Sequence, residues 1–139
     1  MPTTGNRRAG FSLIELLIVL AVAGVLLAIA TRRGAGATAG YEVQIAAEQL
    51  AADIQRTRLE ATRRNTDVTL RRLTDSSYTA PGLGTRVLFN GVRFAAGSAD
   101  TVRFTSVGRV RGVAGEFPVA RAGLTRRVVI GAGGMAVVR

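Results

Sequence analysis

Across residues 11–30 apolar side chains follow one another with a single charge, Glu15, among twenty positions. A helix of that length rises about 30 Å, the thickness of a bilayer's hydrocarbon core, so 11–30 is predicted to span a membrane. Residues 31–40 then carry three glycines in ten positions, enough backbone freedom to predict a hinge or melted turn. Over 41–65 the apolar positions form a stripe: Val43, Ala47, Leu50, Ile54 and Ala61 recur at steps of three, four or seven. That spacing predicts an amphipathic helix. Glu48, Asp53, Arg56 and Arg63 fall off the stripe, with Asp53 to Arg56, and Glu60 to Arg63 and Arg64, spaced to pair along an exposed side. Asn65 is the expected C-cap.

Beyond Asn65 the pattern shortens into β-type runs divided by turn residues. The runs are 68–73, 77–80, 86–89, 92–94, 101–104, 109–113, 126–130 and 136–139. Pro81-Gly82-Leu83-Gly84 reads as a turn, Asn90-Gly91 as a hairpin joining its two neighbouring runs, and Gly131-Ala132-Gly133-Gly134 as the link between the last two. This predicts an α+β chain with a long N-terminal helix packed on a small, mostly antiparallel head at 66–139. Val92-Arg93-Phe94 and Val102-Arg103-Phe104 each set two apolar side chains on one face and an arginine on the other, and Arg109-Val110-Arg111 inverts the order. With Phe94, Phe104 and Val110 turned inward, Arg93, Arg103, Arg109 and Arg111 form an outward basic face. Phe89, Phe94 and Phe104 are then expected in the core rather than as base-stacking aromatics.

Composition narrows the chemistry. All nineteen basic residues are arginine against nine acids, a formal charge of +10, and there is no cysteine and no histidine. A disulfide, a thiol nucleophile and an imidazole base are excluded. Asp67, Asp75, Asp100 and Glu116 are scattered among turns rather than paired, so no enzyme, cofactor or metal site is expected. After Asn65 there are eleven arginines against those four acids, an excess suited to an acidic protein face, anionic lipid or nucleic acid, or simply to solubility. Arg126 and Arg127 add a second basic edge.

A carboxylate inside an apolar span costs about 2.5–3.5 kcal/mol on insertion scales, so Glu15 asks for a counter-charge. A cut between Gly10 and Phe11 would supply one, an α-ammonium four residues before it, available also from a neighbouring copy. An ordinary secretory signal ending at Ala28-Ile29-Ala30 and a plain single-span anchor are the alternatives. The apolar run exceeds the usual 7 to 15 residues of a signal peptide, and Glu15 serves no purpose in one.

Arg7-Arg8-Ala9-Gly10 followed by Phe11-Ser12-Leu13-Ile14-Glu15 resembles the class III signal of type IV pilins and type II secretion pseudopilins. The resemblance implies a leader at 1–10, cleavage after Gly10 by prepilin peptidase, N-methylation of Phe11, and bundling of the 11–30 helices into a filament core with Glu15 setting register. It also implies an inner-membrane location, with the N-terminus cytoplasmic and the 41–139 domain periplasmic. The segments Leu50 to Arg64, Val68-Thr69-Leu70, Val102 to Gly108 and Val128-Val129-Ile130 are similar to the long helix and strands of the GspH/FimT family of minor pseudopilins and pilins. That family implies a structural subunit near the tip of a secretion pseudopilus, partnered by other pilin or pseudopilin subunits. The alternative is a minor type IV pilin that binds DNA. Some pilus-associated members do so through Gly-Arg-x-Arg near the C-terminus; here Gly108-Arg109-Val110-Arg111 stands well before the end. The candidate DNA contacts are Arg93, Arg103, Arg109, Arg111, Arg126 and Arg127.

Overall fold

The computed structural model describes residues 12–112 and 115–139, and of 30–37 only the backbone. The elements in chain order are α1 (Leu13–Arg64), β1 (Val68–Arg72), β2 (Ser77–Ala80), β3 (Gly84–Val87), β4 (Arg93–Phe94), β5 (Thr101–Phe104), β6 (Glu116–Arg121), β7 (Leu124–Ile130) and β8 (Ala136–Val138), with a one-turn 3-10 helix at Phe89–Gly91. The chain divides into two compact units, Met1–Ala35 and Gly36–Arg139.

The boundary falls inside the glycine-rich segment, yet the backbone there is helical, where composition predicts a hinge or melted turn. Nucleating a helix is the costly step; continuing one from strong formers on both sides tolerates about 1 kcal/mol per glycine. In the second unit Val43, Ala46, Ala47, Leu50, Ile54, Thr57 and Ala61 are all buried, which is the expected stripe with two additions. α1 ends in a Schellman motif: Asn65 adopts φ 49°, its N–H reaches the Thr62 carbonyl at 3.2 Å, and the Thr66 N–H reaches that of Ala61 at 3.2 Å. Asn tolerates this left-handed conformation better than most non-glycine residues.

Two antiparallel four-stranded sheets complete the unit, ordered β3-β2-β1-β5 and β4-β6-β7-β8. Their inward residues, among them Val68, Leu70, Tyr78, Val102, Phe104, Phe117, Val119, Val128 and Ile130, join the buried helix residues in one cluster. Phe94 and Phe104 are core as expected; Phe89 is not, being 44 % exposed in the turn at Phe89–Gly91.

That turn corrects a second expectation. Asn90 and Gly91 have φ of 45° and 73°, and the Val92 N–H closes on the Phe89 carbonyl at 3.1 Å. The tight turn predicted from Asn-Gly is present, but it does not close a hairpin. β3 pairs only with β2, and β4 pairs only with β6, so the turn carries the chain from one sheet to the other. Local chemistry selects the turn, whereas partners distant in sequence select the pairing.

The run 109–113 was expected as a strand; among its described residues only a single bridge, Phe104 to Val110, is made. Conversely β6 is not among the expected runs; it contains Pro118, a residue rare in central strands. Pro118 faces Arg127, whose N–H and carbonyl are both committed to Arg139, so β7 requires no hydrogen bond from it.

Asp53, placed by its spacing on the exposed side, is 2 % exposed. Its carboxylate accepts the Tyr78 hydroxyl at 2.7 Å, with the Arg56 guanidinium at 3.4 Å and that of Arg86 at 3.8 Å. Tyr78 is held above its ordinary value of 10.0, first by burial and then by the hydrogen bond to Asp53. The folded state therefore keeps the phenolic proton more tightly than the unfolded chain. Stability from this proton is whole below pH 10 and is lost as the pH rises above it. The denaturation midpoint is expected to fall between about pH 9.5 and pH 11.5 in the wild type, and not in Tyr78→Phe. An equal fall in both proteins would assign the slope to other groups.

Candidate functional site: the N-terminal helix end and the arginine surface

Gly10 and Phe11, the expected cleavage and methylation positions, lie outside the described residues. At Ser12 the hydroxyl accepts the Ile14 N–H at 3.3 Å, while its carbonyl accepts those of Glu15 at 3.1 Å and Leu16 at 3.2 Å. Ser12 thus caps α1, and Glu15 sits exposed in the first turn. Ser and Glu at this separation are the residue pair of a capping box, and the helix dipole favours a carboxylate there by about 0.3–1 kcal/mol. Sequence reasoning missed this role of Ser12, although Ser-x-x-Glu announces it.

Every large apolar side chain from Leu13 to Ile29 is at least 50 % exposed. A continuous apolar surface of this kind marks an interaction site with lipid or other subunits. Among the described residues no helix is long and apolar enough to cross a membrane. The expected span, 11–30, reaches past the described side chains at both ends.

The six candidate arginines do not form one face. β1 and β5 pair in the first sheet, with Thr69 opposite Arg103 and Arg71 opposite Thr101. These four side chains alternate with buried Val68, Leu70, Val102 and Phe104 and therefore share the outer face. The Arg111 N–H bonds the Arg103 carbonyl at 2.8 Å, which lays the 109–111 segment along β5. Together these strands line an open cleft of about 380 Å³ formed by Thr69, Arg71, Thr101, Val102, Arg103, Val110 and Arg111. Arg111 is bridged to Asp67 at 2.9 Å; among the described residues the Arg103 side chain bonds only the Thr69 hydroxyl, at 3.3 Å. Arg109 is exposed beside the cleft and is not among its lining residues.

The other three candidates belong to the second sheet. Arg93 is bridged to Asp75 at 2.5 Å and Arg127 to Glu116 at 3.7 Å. Arg126 shares the inward side with Val119 and turns to the helix, where its Nε donates to Gln44 at 3.0 Å. Sequence reasoning missed Arg71, Thr69 and Thr101, although Thr69-Leu70-Arg71 carries the same two-residue alternation as the strands it did use. It also missed how Gly108-Arg109-Val110-Arg111 is held: Arg58 Nε donates to the Gly108 carbonyl at 2.9 Å, and the Val110 N–H reaches the Ala132 carbonyl at 3.3 Å. Across the described residues no His, Cys, Asp or Glu cluster could hold a metal ion.

A helix whose apolar beginning is exposed, and whose later part carries small antiparallel sheets on its buried stripe, defines the class: this is the type IV pilin fold. Two crystal forms of the type IV minor pilin FimU of Pseudomonas aeruginosa share it. In one, the TM-score is 0.62 at 19 % identity, covering 71 % of this chain and 89 % of that one. In the other, the TM-score is 0.59 at 19 % identity, covering 69 % and 91 %. Residues 5–31 match the prokaryotic N-terminal methylation motif. Residues 46–134 match the family described as type II transport protein GspH, and the chain belongs to that family. No curated protein matches it. The motif and the family together make it a minor pilin-type or pseudopilin-type subunit, a prepilin that is processed by a peptidase and assembles with other pilin subunits.

Proposed function

We propose that the chain is a minor pseudopilin of a type II secretion pseudopilus, with a structural role near the filament tip. Prepilin peptidase would cut between Gly10 and Phe11, Phe11 would be methylated, and the 11–30 helix would hold the subunit in the inner membrane with the head in the periplasm. The observation that carries the reading is the match of residues 46–134, nearly the whole head, to the GspH family. The ion pairs favour it over DNA uptake. Three of the six candidate DNA contacts, Arg93, Arg111 and Arg127, are bridged to acids, and a bridged guanidinium has less charge to offer a phosphate. Glu15 would set register by meeting the Phe11 ammonium of a neighbouring copy, in addition to its place in the helix's first turn.

Cells lacking the chain are expected to retain type II substrates in the periplasm while taking up DNA normally. Glu15→Val should insert into the membrane at wild-type level, enter filaments at a tenth or less of the wild-type amount on the scale of a lost ion pair, and fail to restore secretion. Normal secretion with lost transformation in the deletion strain would replace this reading by the DNA-binding minor pilin. Full incorporation of Glu15→Val would remove the register role.

A further inference from the structure

We infer that the cleft on the outer face of the first sheet is a docking site for an extended acidic segment of another protein. Arg71 and Arg103 sit diagonally across paired strands, between the rows Thr69 to Arg103 and Arg71 to Thr101. Such diagonal neighbours are about 7–8 Å apart. Among the described residues neither guanidinium has a carboxylate partner, as is true also of Arg58, Arg109, Arg126 and Arg139, whereas the other nine described arginines with placed side chains are bridged to acids; Arg71 and Arg103 differ from the former in being neighbours on paired strands. Two like charges are therefore held together on a sheet face with Arg111 alongside and only Asp67 to offset them. An incoming anion relieves that repulsion.

The spacing identifies the anion's carrier. In an extended peptide, alternate side chains on one face lie about 6.5–7 Å apart, which matches the diagonal, and each carboxylate can take a bidentate guanidinium. The threonine hydroxyls of Thr69 and Thr101 add neutral hydrogen-bond partners between the charges. A cleft of about 380 Å³ admits a few residues of one strand. A nucleic acid duplex would instead draw on free cations along a line of phosphates, and on the strands of the second sheet Arg93, Arg121 and Arg127 are bridged to acids while Arg126 bonds the Gln44 amide. The inference deepens the proposed subunit role by stating what the arginine surface holds.

The test uses the full chain in non-ionic detergent and a fluorescein-labelled peptide of alternating Glu and Thr, at about 20 mM salt so that screening is weak. Anisotropy is expected to report binding that weakens about tenfold in Arg71→Gln/Arg103→Gln and less than about twofold in Arg93→Gln/Arg127→Gln, which removes the same charge from the other sheet. Thr101→Glu, which places a carboxylate in the cleft without deleting an arginine, is expected to weaken it similarly. Absence of peptide binding, or equal loss in the two double variants, overturns the inference. A labelled DNA duplex that binds more tightly than the peptide and loses affinity in Arg71→Gln/Arg103→Gln overturns it in favour of nucleic acid. Inorganic phosphate that competes at equal ionic strength as well as the peptide would reduce the site to one for a small free anion and likewise overturn it. Peptide binding would stand even if deletion left secretion unchanged, and failure to bind would leave the secretion phenotype intact, so the two readings fail separately.

Discussion

Gly134→Ala is expected to destabilise the chain by about 3 kcal/mol, the sum of left-handed backbone strain and overpacking. Gly134 is buried with φ 82°, and a Cβ added there would lie 2.4 Å from the Gly108 carbonyl oxygen and 3.1 Å from Arg58 Cδ. The nearest obstacle is backbone, and that backbone is itself fixed by the Arg58 hydrogen bond. For a unit of roughly 100 residues, this cost lowers Tm by about 12–24 °C. Gly133→Ala is the matched control: its Cβ meets nothing within 4 Å and its φ is not in the left-handed range, so its melting point should move little. Thermal melts followed by circular dichroism read both. If Gly134→Ala melted within a few degrees of wild type, the close approach of the 131–134 turn to Gly108 would be wrong. This contact ties the Gly-Arg-Val-Arg element to the last hairpin, although twenty residues or more separate them in the chain.

Asp53→Leu and Tyr78→Phe are each expected to cost about 2 kcal/mol, because either change leaves the other partner buried without its main hydrogen bond. Asp53→Leu/Tyr78→Phe should recover much of that loss, since replacing both buried polar groups by apolar ones removes the unsatisfied partner. A double-mutant cycle on urea midpoints measures the coupling. Additive losses would mean that the 2.7 Å contact between Tyr78 and Asp53 contributes nothing as a pair. The bond joins α1 to β2 across the core, which makes it a device for fixing how the helix is rotated over the first sheet.

Most of the helix was legible from its spacing. Its C-terminal boundary came from Asn65, and its buried stripe from residues three and four apart, because both signals are local to the helix. The strands were legible as runs but not as pairs. Arg126 and Arg127 are adjacent and look equivalent, yet the register with Val119 and Pro118 turns one to the helix and the other outward. The same limit hid Asp53, whose burial depends on a tyrosine twenty-five positions away.

By itself the sequence determined the apolar N-terminal segment, the prepilin motif around Gly10, Phe11 and Glu15, the amphipathic stretch of α1, and the arginine excess of the head. Each rests on residue type and near-neighbour spacing, which need no partner to be read. Only the tertiary structure decided which strands share a sheet, that Asn90-Gly91 passes between sheets rather than closing a hairpin, and which arginines have a carboxylate partner. Those outcomes depend on contacts between distant positions, where acids such as Asp75, Glu116 and Asp67 pair with some guanidinium groups and, among the described residues, leave Arg71 and Arg103 together without a carboxylate.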